Sequence, residues 1–234
     1  MALVWNQIIN KHLTDINFTA GDNRAIKYIV IHYVGATGGA EANCKYFASA
    51  YRGASAHYFV GHEGEVWQCV EDNNIAWHCG ANTYKHPYCR NDNSIGIEMC
   101  CRKNFSNNTW YFEEETVNAT IVLIKELMKK YNIPLSNVIR HYDVTGKRCP
   151  EPYVRNTAAW NTFKASLTTT TSASGYVARI TADVLNVRKG PGTGYGIVTT
   201  VKKGEAFTIV DENNGWGKLK SGVGWIKLSY TERV

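Results

Sequence analysis

"KYIVIHYV", residues 27–34, is a nearly unbroken run of apolar and β-branched side chains with His32 embedded near its end. A strand covered on one face alternates apolar with polar residues; a run without that alternation is the pattern of a central strand covered on both faces. Its neighbours agree. "EANCKYFASAYRG" (41–53) has Ala-rich helical character and predicts a helix that stops at Gly53. "SAHYFVGHEGEVWQCV" (55–70) places two β-rich runs around Glu63-Gly64, the mark of a hairpin. "NSIGIEMCC" (93–101) is a further strand. "EEETVNATIVLIKELMKKYNIP" (113–134) opens with acids, carries an apolar face at helical spacing, closes with lysines and meets Pro134: an amphipathic helix. "TAAWNTFKAS" (157–166) is a weaker closing helix. Strands interleaved with helices predict an α/β domain, a mixed central sheet flanked by helices.

The 234 residues can bury a core without disulfides. With 44% hydrophobic and 20% charged residues, the composition is that of a globular chain. "SLTTTTSASG" (166–175) has neither charge nor bulk beyond its leucine and reads as a flexible connector. The expected organisation is residues 1–167 as the first domain, 168–175 as the linker and 176–234 as the second. In the second, the runs "YVARITA", "LNVRKGP", "IVTTVKKG", "AFTIVDE", "WGKLKS" and "GWIKLS" are broken by Gly and Pro turns, which predicts a small all-β barrel. Of the net charge of +6, residues 1–170 carry +2 and residues 171–234 carry +4. The basic C-terminal part suits a polyanionic partner as well as simple solubility. No apolar run is long enough to insert into a membrane, and no nucleic-acid motif occurs. The start, "MALVWNQIINKHLTDINF", does not read as a secretory signal, which predicts accumulation in the cytoplasm, where thiols stay reduced. The seven cysteines contain no CxxC pair and read mainly as small buried hydrophobes. Cys69, Cys79 and Cys89 recur every ten residues, a wider spacing than that of structural zinc loops.

His32 alone reads equally as a core histidine with a hydrogen-bond partner. "RHYDVTGKRCP" (140–150) adds His141 and Cys149, and zinc takes imidazole nitrogen and cysteine sulfur, a catalytic zinc keeping three protein ligands. One His-x7-Cys spacing does not decide between a metal site and a polar loop.

Taken together, "YIVIHYVGA", "SAHYFVGHEGEVWQCVEDNNIAWHCG", "NSIGIEMC" and "HYDVTGKRCP" resemble, in order, the zinc N-acetylmuramoyl-L-alanine amidases of the type-2 family, related to phage endolysins and peptidoglycan-recognition proteins. The resemblance covers about residues 25–165. It implies Zn2+ held by His32, His141 and Cys149, and hydrolysis of the amide between N-acetylmuramic acid and L-alanine in bacterial peptidoglycan. It implies Glu98 of "SIGIE" as catalytic; a strand-end carboxylate could pass a proton from water to the leaving nitrogen. Lys147, beside Cys149, could add charge where the oxyanion forms, against the alternative of a solvated lysine. His78, and Trp77 before it, match positions near the substrate groove, Trp77 with core packing as its alternative. The sequence departs from lysozyme-type relatives at Ala56, where they carry tyrosine. Tyr58, two residues on, is expected on the same face as packing. Residues 176–234 resemble a bacterial SH3-like module that binds the cell wall, with Tyr195, Trp216, Arg188 and Lys189 as candidate groove residues and Trp225 leaning towards the barrel core. Other anionic wall polymers are possible ligands of this module. The rival class, a non-catalytic peptidoglycan-recognition protein, would lack a metal ligand; the rival within the enzyme class is a host autolysin.

Overall fold

The computed structural model describes residues 9–168, 175–213 and 215–234, which fall into two compact units divided near residue 169. Most of the expected linker, residues 169–174, lies outside the described residues. No described helix is long and apolar enough to cross a membrane.

The first unit contains strands β1 (Ile9–Lys11), β2 (Phe18–Thr19), β3 (Tyr28–Tyr33), β4 (Tyr58–Val60), β5 (Val66–Gln68), β6 (Ile75–Ala76), β7 (Ser94–Met99), β8 (Arg102–Asn104), β9 (Thr109–Tyr111) and β10 (Val138–Arg140). Its helices are α1 (Ala40–Ser49), α2 (Glu114–Tyr131), α3 (His141–Thr145), α4 (Glu151–Arg155) and α5 (Thr157–Thr168). Six strands form one sheet in the order β1-β5-β4-β7-β3-β10. β3 lies parallel to β7 and β10, and β4 is parallel to β7 but antiparallel to β5, so the sheet is mixed.

The two central strands, β3 and β7, are covered on both faces and divide their side chains by parity. Ile29 and Ile31 of β3, with Ile95, Ile97 and Met99 of β7, join Leu123, Ile124 and Leu127 of α2 and Trp160, Phe163 and Leu167 of α5 in the main core. Tyr28, Val30 and His32 take the other face, paired in register with Ser94, Gly96 and Glu98. That opposite face carries the polar side chains His32, Ser94 and Glu98. Further along it, Phe59 stacks on Phe47 of α1 with ring centroids 5.6 Å apart.

A buried carboxylate ties α2 to the sheet. Asp72 accepts hydrogen bonds from Tyr58 Oη (2.6 Å), Gln68 Nε2 (3.2 Å), Lys130 Nζ (2.8 Å) and Tyr131 Oη (2.6 Å). Four donors compensate its loss of hydration, as burial of a charge requires.

Two expectations are corrected. α1 ends at Ser49, four residues before Gly53, because the side chain of Asn17 takes over the capping. Its Nδ2 donates to the carbonyls of Phe47 (2.6 Å) and Ala50 (2.8 Å), and its Oδ1 accepts the Arg52 N–H (2.6 Å). Tyr58 does not share a face with Ala56: Tyr58 belongs to the main core, whereas Ala56 packs in the α1-side cluster with Phe59 and Cys44. Alternation fails there because Ala56 precedes the regular strand. The ladder is irregular at that point, with the His57 carbonyl accepting from both Cys69 and Val70.

The second unit is all β: β11 (Tyr176–Ile180), β12 (Val184–Arg188), β13 (Ile197–Lys202), β14 (Ala206–Asn213), β15 (Trp216–Leu219), β16 (Trp225–Lys227) and β17 (Thr231–Arg233). These pair in the order β13-β12-β16-β15-β14-β11-β17 around Ala178, Ile180, Val187, Ile209 and Ile226. The seventh strand is unannounced in the sequence, since "TER" carries no β pattern. Its ladder with β11 supplies the pairing that propensity does not.

Leu123 is fully buried at the centre of the first unit's core. Leu123→Ala is expected to cost ~2–5 kcal/mol through lost burial and the cavity left behind, read as a lower urea midpoint for the first unit's transition.

Candidate metal centre and active site

β10 delivers the chain into α3, so His141 stands at the sheet's edge beside β3, the parallel neighbour of β10. Arg140 secures the junction. Its guanidinium grips both Asp143 carboxylate oxygens (3.0 and 2.8 Å) and donates to the Tyr153 carbonyl (3.0 Å). After α3 the chain reverses at Gly146, whose φ of +85° lies in the left-handed region that glycine adopts without strain. Tyr142 N–H then donates to the Cys149 carbonyl (2.8 Å), closing the loop and returning Cys149 towards His141. His32 projects from β3 into the same spot.

The result is one cluster. Ligand-capable atoms of His32, His141 and Cys149 all lie within 4.8 Å of one another, and each residue is at most 5% exposed. His32 Nδ1 is 3.7 Å from Cys149 Sγ and 4.0 Å from Glu98 Oε1. The His32 and His141 rings meet edge to face at 4.6 Å. Cys69 sits in the α1-side cluster, whereas Cys79 and Cys89 sit in another with Val30 and Val144, so the ten-residue recurrence does not converge.

The electrostatics follow from burial. Loss of hydration pushes His32 well below its usual pKa and His141 to about 3; His141, His78 and Lys147 add to the effect on His32, and Lys147 and His78 to that on His141. Burial raises the Cys149 thiol, opposed by Lys147. Glu98 is raised to about 7 by desolvation, again opposed by Lys147. Its side chain keeps 21% exposure, yet Oε2 is fully enclosed without a hydrogen-bond partner. Lys147 is exposed, and its charge bears on all four groups.

A divalent metal fits this cluster. His141 Nδ1 is buried with no hydrogen-bond partner, a state that costs roughly 1–3 kcal/mol unless something occupies its lone pair. Two imidazoles and one thiol form a borderline-soft donor set suited to zinc. A cation there would reverse the local penalty on the thiolate.

The remaining candidates are placed as follows. His78 lies behind His32, buried, with both ring nitrogens engaged inside the fold (3.1 Å to His32 Nε2 and 3.1 Å to Ser94 Oγ) rather than open to a groove. Trp77 points away from it, donating from Nε1 to Thr19 Oγ1 (2.9 Å) and meeting Tyr51 edge to face at 6.1 Å. Arg148 turns outward to Glu151 (3.4 Å). In the second unit Tyr195 is 39% exposed, and its carbonyl accepts from Arg188 Nη1 (2.8 Å). Its ring lies against Gly190, where a Cβ would come within 2.5 Å. The expectation that Trp225 leans towards the barrel core is corrected: neither it nor Trp216 belongs to the core cluster. Gly217, Leu219 and Ile226 face the core, so Trp216 and Trp225 share the opposite face; Trp216 is 6% exposed there with Lys227 Nζ 5.5 Å from its ring centroid, and Trp225 is the more open of the two. No sequence motif singles out Ser94 or Trp110. Ser94 was accessible through the period-two alternation Ser94, Gly96, Glu98; Trp110, 6.2 Å from the Tyr33 ring, sits on a short hairpin with no local signal.

Comparison with known proteins places this geometry. The N-acetylmuramoyl-L-alanine amidase family model matches residues 22–152, a span containing His32, Glu98, His141 and Cys149. The chain belongs to this amidase family. A bacterial SH3 domain matches residues 183–232. The N-acetylmuramoyl-L-alanine amidase BlyA of Bacillus subtilis (strain 168) is 34% identical over 155 residues, covering 60% of this chain and 41% of that protein. The chain thus spans less than half of that relative's length. The solved catalytic domain of XlyA is 28% identical with a TM-score of 0.54, covering 68% of this chain and 99% of that domain. A solved mutant endolysin from Bacillus subtilis is 29% identical with a TM-score of 0.51, again over 68% and 99%.

Zinc titration is expected to reach about one ion per chain. Cys149→Ser should weaken affinity by at least roughly tenfold through loss of the soft thiolate, while Arg148→Ser leaves it unchanged; equal affinity in the Cys149 variant would remove that residue from the ligand set.

Proposed function

We propose that this protein is a zinc-dependent peptidoglycan hydrolase of the endolysin type that cleaves the amide joining N-acetylmuramic acid to L-alanine of the stem peptide. The observation that carries the reading is the convergence of His32, His141 and Cys149 beside the enclosed carboxylate of Glu98, within a chain of this family.

Amide hydrolysis needs an activated water, stabilisation of the charge gathering on the carbonyl oxygen, and a proton for the departing nitrogen. Zinc supplies Lewis acidity, polarising the carbonyl and lowering the pKa of water to about 7. His32, His141 and Cys149 would hold it. Glu98, raised to about 7, sits near the working pH and can exchange a proton in either direction. It accepts one from the attacking water and returns it to the leaving amine. Lys147, exposed and electrostatically coupled to the cluster, contributes positive charge, and a well-placed donor is worth ~3–4 kcal/mol to a developing oxyanion. With Ala56 buried where lysozyme-type relatives carry tyrosine, and Tyr58 committed to Asp72, proton transfer falls on Glu98.

The SH3 domain is the proposed wall anchor, with Tyr195, Arg188 and Lys189 as its contact surface and peptidoglycan or another anionic wall polymer as ligand. A weak second contact on one chain raises the effective concentration of substrate at the first.

Digestion of purified peptidoglycan should expose new L-alanine amino groups without new reducing sugar ends; the reverse product pattern excludes the assignment. Glu98→Ala should retain zinc and lose at least about a hundredfold in kcat, the scale of a general acid–base group. Tyr195→Ala should weaken retention on walls roughly fivefold, the ~1 kcal/mol of a modest aromatic anchor, with hydrolysis of a soluble muramyl peptide unchanged.

A further inference from the structure

We propose that His78 is a positioning residue that fixes the tautomer of His32, holding His32 with its proton on Nε2 and its bare Nδ1 turned towards Cys149 and His141. This rests on the reading of the cluster as a metal site.

The polarity of the chain of hydrogen bonds is set at its far end. The Arg90 carbonyl can only accept, and Ser94 Oγ lies 2.6 Å from it, so the single hydroxyl proton of Ser94 is spent there. Ser94 Oγ is therefore an acceptor towards His78 Nε2 at 3.1 Å. A neutral imidazole carries one N–H, so with His78 protonated on Nε2 its Nδ1 is bare. That lone pair faces His32 Nε2 at 3.1 Å, and the proton between them belongs to His32. His32 Nδ1 is then left unprotonated on the side where Cys149 Sγ lies at 3.7 Å. The opposite tautomer would aim an N–H at the place a cation must occupy.

Each member is locked from outside the chain. Arg90 N–H donates to Asn93 Oδ1 (2.9 Å), and the Arg90 guanidinium donates to the carbonyls of His86 (3.0 Å) and Cys89 (2.7 Å), so the terminal carbonyl does not swing. The backbone N–H groups of His78 and Cys79 both donate to Asn91 Oδ1 (3.2 and 2.8 Å). The His78 ring lies flat on Gly96, where a Cβ would stand 2.5 Å from the ring's Cγ. Ser94, Gly96 and Glu98 thus share one face of β7 in three capacities: acceptor for His78, floor beneath it, and carboxylate beside His32. Outer partners that fix a ligand's ring are worth 10–100-fold in metal affinity as a general rule.

The test uses the full-length, 15N-labelled protein. In the metal-free state, imidazole nitrogen–proton correlation spectra should show His32 and His78 both as Nε2–H tautomers; a His32 that carries its proton on Nδ1 overturns the proposal. Zinc affinity by chelator competition should fall 10–100-fold in His78→Ala and recover substantially in His78→Asn, whose Oδ1 can stand in for Nδ1 as acceptor. Equal affinity in wild type and His78→Ala overturns it as well. Ser94→Ala is the milder variant: by releasing His78 Nε2–H it should broaden His32 into a mixture of tautomers, and an unchanged His32 spectrum counts against the chain. Failure of the wild-type protein to take up zinc would sink the metal reading, whereas the His32 tautomer in metal-free protein reports on the hydrogen bonds alone.

Discussion

The parallel pairing of β3 with β7 is the constraint on which the rest depends. It sets His32 directly opposite Glu98, and it does so inside a sheet whose other face is sealed by α2 and α5. A slip of β3 by one residue against β7 would send His32 into the aliphatic core and bring Ile31 to the polar side in its place. Everything else in the centre is brought to that pair. β10, on the far side of β3, carries His141 to it, and the closure of the loop through Tyr142 and Cys149 returns the thiol. Because His32 and Glu98 sit on paired strands, their separation is held by backbone hydrogen bonds.

Supporting polar groups keep this frame rigid without a disulfide. Asp72 gathers donors from β4, β5 and the last turn of α2, so the helix that covers one face is pinned near the hairpin that borders the other. Asn17 performs a comparable service for α1 by absorbing its terminal carbonyls. Both residues are polar and nearly fully buried, and both have their hydrogen-bonding capacity used, the condition under which buried polarity strengthens a fold.

Much of this was legible in the sequence, for identifiable reasons. The run around His32, the period-3.6 face of α2 and the Glu63-Gly64 turn are local signals, and each appears where expected. The strand runs of the second unit were likewise readable, whereas β1, β17 and the β8–β9 hairpin are short and gain their order from partners. The candidate metal cluster lay beyond local reading: His32 and Cys149 are 117 positions apart, and only the resemblance to a family joined them. The environment of His78 was hidden for a similar reason. The family resemblance implies a place near the groove, but the strand beneath His78 presents Ser94 and Gly96 and holds it inside the fold. That the tryptophans of the second unit share the face opposite the barrel core was hidden too, because only the register of β15 against β16 sets them side by side.

The division of β3 and β7 by parity separates two properties that proteins usually trade against each other. Ile29, Ile31, Ile95 and Ile97 answer to the helices; His32, Ser94, Gly96 and Glu98 answer to the polar cluster. Repacking the aliphatic layer can alter how firmly the domain resists heat or denaturant while the opposite layer keeps its spacing, since the backbone between them moves little when volume is conserved. Durability and reactivity in this domain are therefore adjustable from opposite sides of the same two strands.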